Sequence, residues 1–388
     1  MSSSSAKIAQ VVEAFDRKDY RTAAQLLKTL AAQSPQDPWV QLYIGQLHEV
    51  SNRLAKAEAT YRQLLRNTTI PKVGVQARQG LQRLLNAERD RRQKAIDNAL
   101  AIAGNRDPGL LILEPIVPDA RPAASQKLAR IVEIDPYSAR LQLPHRGWKL
   151  YRTGTIGELQ VYSKELMAAE IPNFCASLTA IQSIRTFRVA YIQSIEPLAT
   201  IVCQDEQNQL GSLSFDWSEA TQRVEGLLPI FEDVLDEGPR RQLTHKVRTQ
   251  DYSHLFDLHF PNRQCILRFH DHSYQFDQDM TQKSPSEKLN NKKLNNKKSN
   301  TASQTTNRIN WNNLLALLQD KLAHCQAWSE FVPFAETALE YPEMLSNLNA
   351  HIDLKRRPVK LVNREEMLWD PAFHLYSSLI FCKTSHEN

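Results

Sequence analysis

The chain has 388 residues, 41% hydrophobic and 23% charged, the composition of a folded, water-soluble protein too long for one ordinary domain. No window approaches the ~18 uncharged apolar residues of a membrane span, and Met1 to Ala6 lacks the basic and apolar regions of a secretory signal, so a cytoplasmic location is expected. The net charge of +5 lies in the first part: 16 Lys and Arg against 9 Asp and Glu through Leu100, leaving 32 against 34 afterwards, which suits acidic protein partners and, without an aromatic-interleaved basic motif, disfavours nucleic acid.

Helical spacing begins at Lys7 to Arg17. Asp19-Tyr20-Arg21-Thr22-Ala23-Ala24 and Arg53-Leu54-Ala55-Lys56-Ala57-Glu58 then open two helices of one kind, with Ala23 and Ala57 34 residues apart. A small alanine lets the two helices of a pair approach closely, and Leu27 and Tyr61, four positions on, fill the space beside it. Pro35 ends the first repeat, whereas Thr69 takes that place in the second and Pro71 follows it. Gly45, flanked by Ile44 and followed by His48, holds a small position in a first helix, where the first repeat has Val11.

In these residues the first ~100 positions resemble the tetratricopeptide repeat, a stack of helical hairpins. Ala23, Leu27, Pro35, Gly45, Ala57 and Tyr61 are its structural set here. The resemblance implies a concave groove, lined mainly by first helices, that holds a partner's peptide or helix; Ile8, Val12, Gln41, Gly45 and Gln46 are the candidates to line it. Relatives that clamp chaperone tails use lysine and asparagine where this chain has Ile8, Val12 and Gln46, which implies an apolar groove with basic edges for an amphipathic helix or docking segment. Two pairs need a cap, and Lys72 to Ala101 supplies one, with Val75, Leu81, Leu84, Leu85 and Ile96 at helical spacing. Ala77 to Leu85 reads equally as a degenerate third repeat or a plain solvating helix.

Asn105-Arg106-Asp107-Pro108-Gly109, with Pro115, Pro118 and Pro122 beyond, marks a domain boundary. Trp148 to Arg152 and Glu158 to Tyr162 read as the arms of a hairpin about Thr153 to Gly157. Strands are expected at Phe187 to Ile192, Leu198 to Cys203, Gly211 to Phe215, Leu255 to Phe260 and Cys265 to Phe269, with hairpin turns at Asp205 to Asn208 and Pro261-Asn262-Arg263. Helices are expected at Ala124 to Glu133, Ala176 to Ser183 and Ser218 to Leu235. The fold class is therefore α+β: all-α repeats over 1–104, a largely antiparallel α+β domain over 105–280, and a helical C-terminal segment over 308–388 that packs on it. Between them, 281–307 is a Lys/Asn-rich insert with a tandem copy, Lys288 to Lys292 and Lys293 to Lys297, too polar to order itself. In the last segment Leu314, Leu315, Leu318 and Leu322 form an apolar stripe after Trp311, and Leu368 to Phe381 suggests a final helix; Lys355 to Lys360 between them reads as a solvated connector.

Chemistry is sparse. The five cysteines, Cys175, Cys203, Cys265, Cys325 and Cys382, form no C-x-x-C pair and read as buried thiols. His254-x-x-Asp257-x-His259 with His270-Asp271-His272 is the densest cluster of ligand types. Strand periodicity puts His254 away from Asp257 and His259, and His270 with His272 away from Asp271, so surface or capped-core histidines are expected and no metal or cofactor is assigned. Glu232-Asp233 with Asp236-Glu237 reads as a solvated helix face, and Leu143-Pro144-His145-Arg146-Gly147-Trp148 as a strand entry with Trp148 packed in the core, the alternative being a recognition surface. No G-x-S-x-G, P-loop or G-x-G-x-x-G occurs, and no catalytic residue stands out. The expectation is a non-enzymatic adaptor or assembly factor that binds proteins through the repeats; the alternative is an enzyme or small-ligand sensor in 105–280 that the repeats target. Overall character also resembles repeat proteins of photosynthetic bacteria, which implies a role near photosynthetic or membrane complexes.

Overall fold

A computed structural model describes residues 3–237, 243–279, 307–352 and 368–386. The tandem copy within 288–297 and the basic run 355–360 lie outside them. The chain divides into two compact units between Ala101 and Ile102.

The first unit is all helix: α1 (Ser3–Asp16), α2 (Tyr20–Gln33), α3 (Pro38–Val50), α4 (Leu54–Asn67) and α5 (Pro71–Leu100). Its starts and breaks are chemical. Asp19 accepts a hydrogen bond from the Thr22 amide, and Asp37 accepts one from the Trp39 amide ahead of Pro38, which needs no donor of its own. Val11, Leu27, Leu30 and Val40 close a core for the first pair; Leu42, Ala57, Tyr61, Leu64, Val73, Ala77 and Leu84 close the second pair against α5. Helix α5 is one unbroken span of 30 residues, so no third hairpin forms over Ala77 to Leu85. Its buried stripe is Val73, Ala77, Gly80 and Leu84; Val75 and Leu85, expected on that stripe, are exposed because residues two and one away from it point to other faces.

The second unit holds two sheets. The small one, ordered β2-β1-β3, pairs β1 (Pro108–Leu113) antiparallel with β2 (Lys149–Thr155) and β3 (Asn173–Ser177). Leu111 and Leu113 of β1 face a layer made by α6 (Arg121–Val132), α7 (Pro136–Gln142) and α8 (Ile156–Ala168), while Leu110 and Ile112 face the opposite core. The expected second hairpin arm, Glu158 to Tyr162, is part of α8. Burial of Ile156, Leu159 and Leu166 follows the helical period, and the first two amides of the helix are satisfied by the linker carbonyls of Asp107 and Asn105. Of the helix expected over Ala176 to Ser183, only α9 (Leu178–Gln182) forms, because Ala176 still pairs with Leu110.

The large sheet runs β10-β7-β8-β9-β4-β5-β6, with β4 (Arg185–Ser194), β5 (Ala199–Gln204), β6 (Leu210–Phe215), β7 (Gln222–Glu237), β8 (Leu243–Phe260), β9 (Cys265–His270) and β10 (Gln326–Trp328). The β4/β9 and β10/β7 joins are parallel and the others antiparallel. Both expected turns join paired strands, β5 to β6 and β8 to β9. The helix expected over Ser218 to Leu235 is a correction: Asp216 and Glu219 do make a capping box, but it closes only the short 3-10 turn Trp217–Glu219. The chain then extends, and Val224, Leu228 and Ile230 turn alternately inward along β7. Glu232, Asp233, Asp236 and Glu237 therefore lie on a strand opposite Arg248, Val247, Thr244 and Leu243, not on a helix.

One face of this sheet carries Phe256, Leu258, Leu267 and Phe269 against Trp311, Leu314, Leu318 and Leu322 of α10 (Asn307–Lys321) and the turn after it. The other carries Val224, Leu228 and Leu255 against α11 (Phe331–Ala338) and α13 (Trp369–His386), beyond the short α12 (Pro342–Leu345). Gly226 is required there, since a Cβ would lie 2.3 Å from the Phe373 ring. The final helix is central: Ala372, Phe373, Leu375, Leu379 and Ile380 are fully buried. The C-terminal segment is also not purely helical, since β10 adds an edge strand through Gln326, Ala327 and Trp328.

Candidate functional site

In the first unit Tyr61 is the keystone. A Cβ at Gly45 would lie 2.5 Å from its ring on one side, and a Cβ at Gly80 2.6 Å on the other, so two glycines admit the ring between α3 and α5. Its hydroxyl donates to Glu49 Oε2 at 2.8 Å, and Arg83 donates to both oxygens of that carboxylate at 2.8 and 2.9 Å. Burial, then the hydrogen bond to Glu49, raises the pKa of the Tyr61 phenol, which keeps it a donor.

The other sequence candidates fall in three groups. Ala23, Leu27 and Ala57 are buried between paired helices, as the small-residue argument requires, and Pro35 is exposed at the turn between repeats. Gly45 is buried against the Tyr61 ring. Ile8 packs on the Val11, Leu27, Leu30 and Val40 core, which turns it toward its own pair; Val12 is half-buried outside that cluster. Gln41 spends its amide on the Pro35 carbonyl at 2.6 Å, and Gln46 is half-buried on α3.

What sequence reasoning missed is a ladder of rings. Trp39 stacks on Tyr43 at 6.4 Å, Tyr43 meets Phe15 at 5.7 Å, and Phe15 meets Tyr20 at 6.0 Å, while Lys72 lies 6.0 Å over Trp39. Phe15, Trp39 and Tyr43 are half-buried and Tyr20 is exposed. The signal was present as Trp39 and Tyr43 one helical turn apart, but Phe15 joins them only through the packing of α1 on α3. A tetratricopeptide repeat family model matches residues 14–69. The match thus spans the end of α1 through α4 and takes in every rung of the ladder. No curated protein and no solved structure matches the chain.

In the second unit, α13 is bolted to the large sheet by a buried polar network. Arg268 of β9 donates from Nε and Nη2 to the two oxygens of Asp257 on β8 at 2.9 and 2.8 Å, with Asp370 of α13 3.7 Å from Nη1. Asp370 accepts from the His351 and Ile352 amides at 2.5 and 2.8 Å, His351 and His374 rings lie 4.4 Å apart, and His259 Nε2 meets the Ser377 hydroxyl at 2.9 Å. Burial holds His259 and His351 down to about 3 and His374 well below the usual range, so all three are neutral. Burial also pushes the Asp370 carboxyl up to about 6, against the pull of Arg268. Asp257 and His259 do share a strand face; Arg268, His351, Asp370 and His374 were illegible because their partners are remote in sequence.

His254 does lie on the other strand face from Asp257 and His259, beside Trp311, but His270, Asp271 and His272, expected to be split by strand periodicity, are brought together. Strand β9 stops at His270, and the turn that follows, with the Ser273 and Tyr274 amides on the His270 carbonyl, swings Asp271 and His272 to the same place. The ligand atoms of His270, Asp271 and His272 lie within 4.8 Å of one another. Burial lowers His270 to about 4; Asp271 is also lowered, since hydrogen bonds from His272 and Ser253 and the charge of His272 together outweigh its burial. No helix among the described residues is long and apolar enough to cross a membrane. The five cysteines are free thiols, and burial raises Cys175 and Cys382 to about 11, as expected of unreactive side chains.

Proposed function

We propose that this chain is a non-enzymatic, cytoplasmic adaptor whose tetratricopeptide pairs bind another protein. The observation that carries the reading is the ladder Tyr20, Phe15, Tyr43, Trp39 with Lys72 above it: one exposed and three half-buried rings across α2, α1 and α3, supplied by the segment the repeat family matches. Rings of this kind offer large contact area at little cost in side-chain entropy. The surrounding helices carry 16 basic against 9 acidic residues through Leu100, so the fitting occupant is a short segment with aromatic or aliphatic anchors flanked by acidic residues. The ladder replaces the Ile8 and Val12 strip as the binding surface, because Ile8 is committed to its own core.

The test is affinity purification from the native cell with the full chain and with Tyr43→Ala combined with Lys72→Glu, each checked for helicity by circular dichroism. Discrete partners held by the parent chain and lost by the folded variant support the adaptor. Equal recovery of the same partners by both refutes the ladder as the binding surface.

A further inference from the structure

We propose that His270, Asp271 and His272, completed by the Ser253 hydroxyl, form a binding site for a late first-row divalent cation of the zinc type. Four donor atoms converge there from two elements. Ser253 Oγ, at the middle of β8, is 2.6 Å from His270 Nε2, 2.9 Å from Asp271 Oδ1 and 3.3 Å from His272 Nδ1. His270 Nε2 is 3.6 Å from Asp271 Oδ1, and His272 Nδ1 is 2.5 Å from it. A tetrahedral ion with bonds of about 2.0 to 2.2 Å separates its ligands by roughly 3.4 Å, so the donors need to open by no more than about 1 Å. The movement falls on side chains that have room: His272 is 36% exposed and Asp271 borders solvent, which also gives the ion its way in.

Hydrogen bonds around the cluster orient its donor atoms. Ser273 Oγ lies 3.0 Å from His270 Nδ1 and 3.5 Å from the His270 carbonyl. With Ser273 on Nδ1, Nε2 is the ring nitrogen that faces the cluster, the outer-shell arrangement that orients a metal-binding imidazole. Ser253 has one hydroxyl proton but faces two acceptors, His270 Nε2 at 2.6 Å and Asp271 Oδ1 at 2.9 Å. His272 Nδ1 lies 2.5 Å from Asp271 Oδ1 and serves it as a donor, and a cation would displace that proton and take the lone pairs of both groups. Two imidazoles beside one carboxylate and one hydroxyl select zinc-like ions over calcium or magnesium, which take oxygen donors. The ion would tie β8 to the turn that ends β9 through residues the protein-binding reading does not use, so the two proposals stand or fall separately.

The full chain, stripped of metal with a chelator, is titrated with Co²⁺ while ligand-field absorption is followed, and then with Zn²⁺ by calorimetry. The expected result is one saturable equivalent with a tetrahedral Co²⁺ spectrum that Zn²⁺ abolishes. His272→Ala, whose side chain is exposed enough for the fold to be kept, should weaken binding by at least roughly tenfold, and Asp271→Asn should act likewise. His145→Ala, at an exposed turn elsewhere, should bind as the parent does. The proposal is overturned if the parent chain takes up no Co²⁺ or Zn²⁺ with a one-to-one endpoint, or if a folded His272→Ala binds as tightly as the parent.

Discussion

Acid should destabilise the second unit from about pH 6.5 downward, because the bolt between α13 and the sheet is built from neutral histidines. His259 and His351 take up a proton only near pH 3 while folded but near 6.5 once exposed, so between those values the unfolded chain binds more protons and stability falls as pH falls. At pH 4.5, two pH units below 6.5, each histidine removes at most about 3 kcal/mol at 1.36 kcal/mol per unit, or about 5 for the pair, and His374 adds loss of the same sign. Asp370 works the other way. Its folded pKa of about 6 exceeds the free value of 3.8, so the folded state holds that proton more tightly and regains about 2 kcal/mol between pH 6 and 4.5. The balance for these three groups is a loss of about 3 kcal/mol, to which His374 adds, a large share of the 5 to 15 kcal/mol typical of a domain. Five of the six tryptophans, Trp148, Trp217, Trp311, Trp328 and Trp369, lie beyond Ala101, so tryptophan fluorescence in urea titrations reports chiefly this unit. The urea midpoint should drop steeply from pH 7 to 4.5, and less so in His374→Leu. A midpoint flat across that range would refute the assignment of these histidines as buried and neutral.

Gly45→Ala and Gly80→Ala should each destabilise the repeats by about 1 to 3 kcal/mol by forcing the Tyr61 ring from between them, and the pair together should do no worse than additively; guanidinium unfolding followed by helical circular dichroism reads this. Ala57→Leu, at a fully buried crossing, should cost a similar amount in the same assay, and a variant that melts like the parent would contradict the crossing. Asp257→Leu should cost about 3 to 5 kcal/mol by stranding the Arg268 charge, while Asp257→Leu with Arg268→Met should recover most of it; a double variant as unstable as the single would show that the pair is not the reason.

The sequence by itself determined what depends on neighbours along the chain. The 34-residue recurrence, the caps at Asp19 and Asp37, the close packing of Ala23 and Ala57, the strands β4, β5, β6 and β9 and their turns all follow from periods and punctuation within about one hairpin. It misjudged segments where two periods fit the same residues. Leu159 and Val161 suit a strand or a helix, and only β1, with its neighbours β2 and β3 already filling both edges, leaves Ile156–Ala168 to cover the sheet as a helix. Gln222–Glu237 carries a sound capping signal just ahead of it, yet its backbone groups are claimed by β8 over the whole run, which outweighs local preference. The candidate sites divide in the same way. Trp39 and Tyr43 were visible as neighbours on a helix, whereas Phe15 and Lys72 reach them only when α1 and α5 dock on α3. The Arg268 network spans Asp257 to Ser377, and the His270 cluster exists because strand alternation stops at His270 and a turn carries Asp271 and His272. Long-range pairing decides both, since a buried charge or imidazole is tolerable only beside a partner that the tertiary fold delivers.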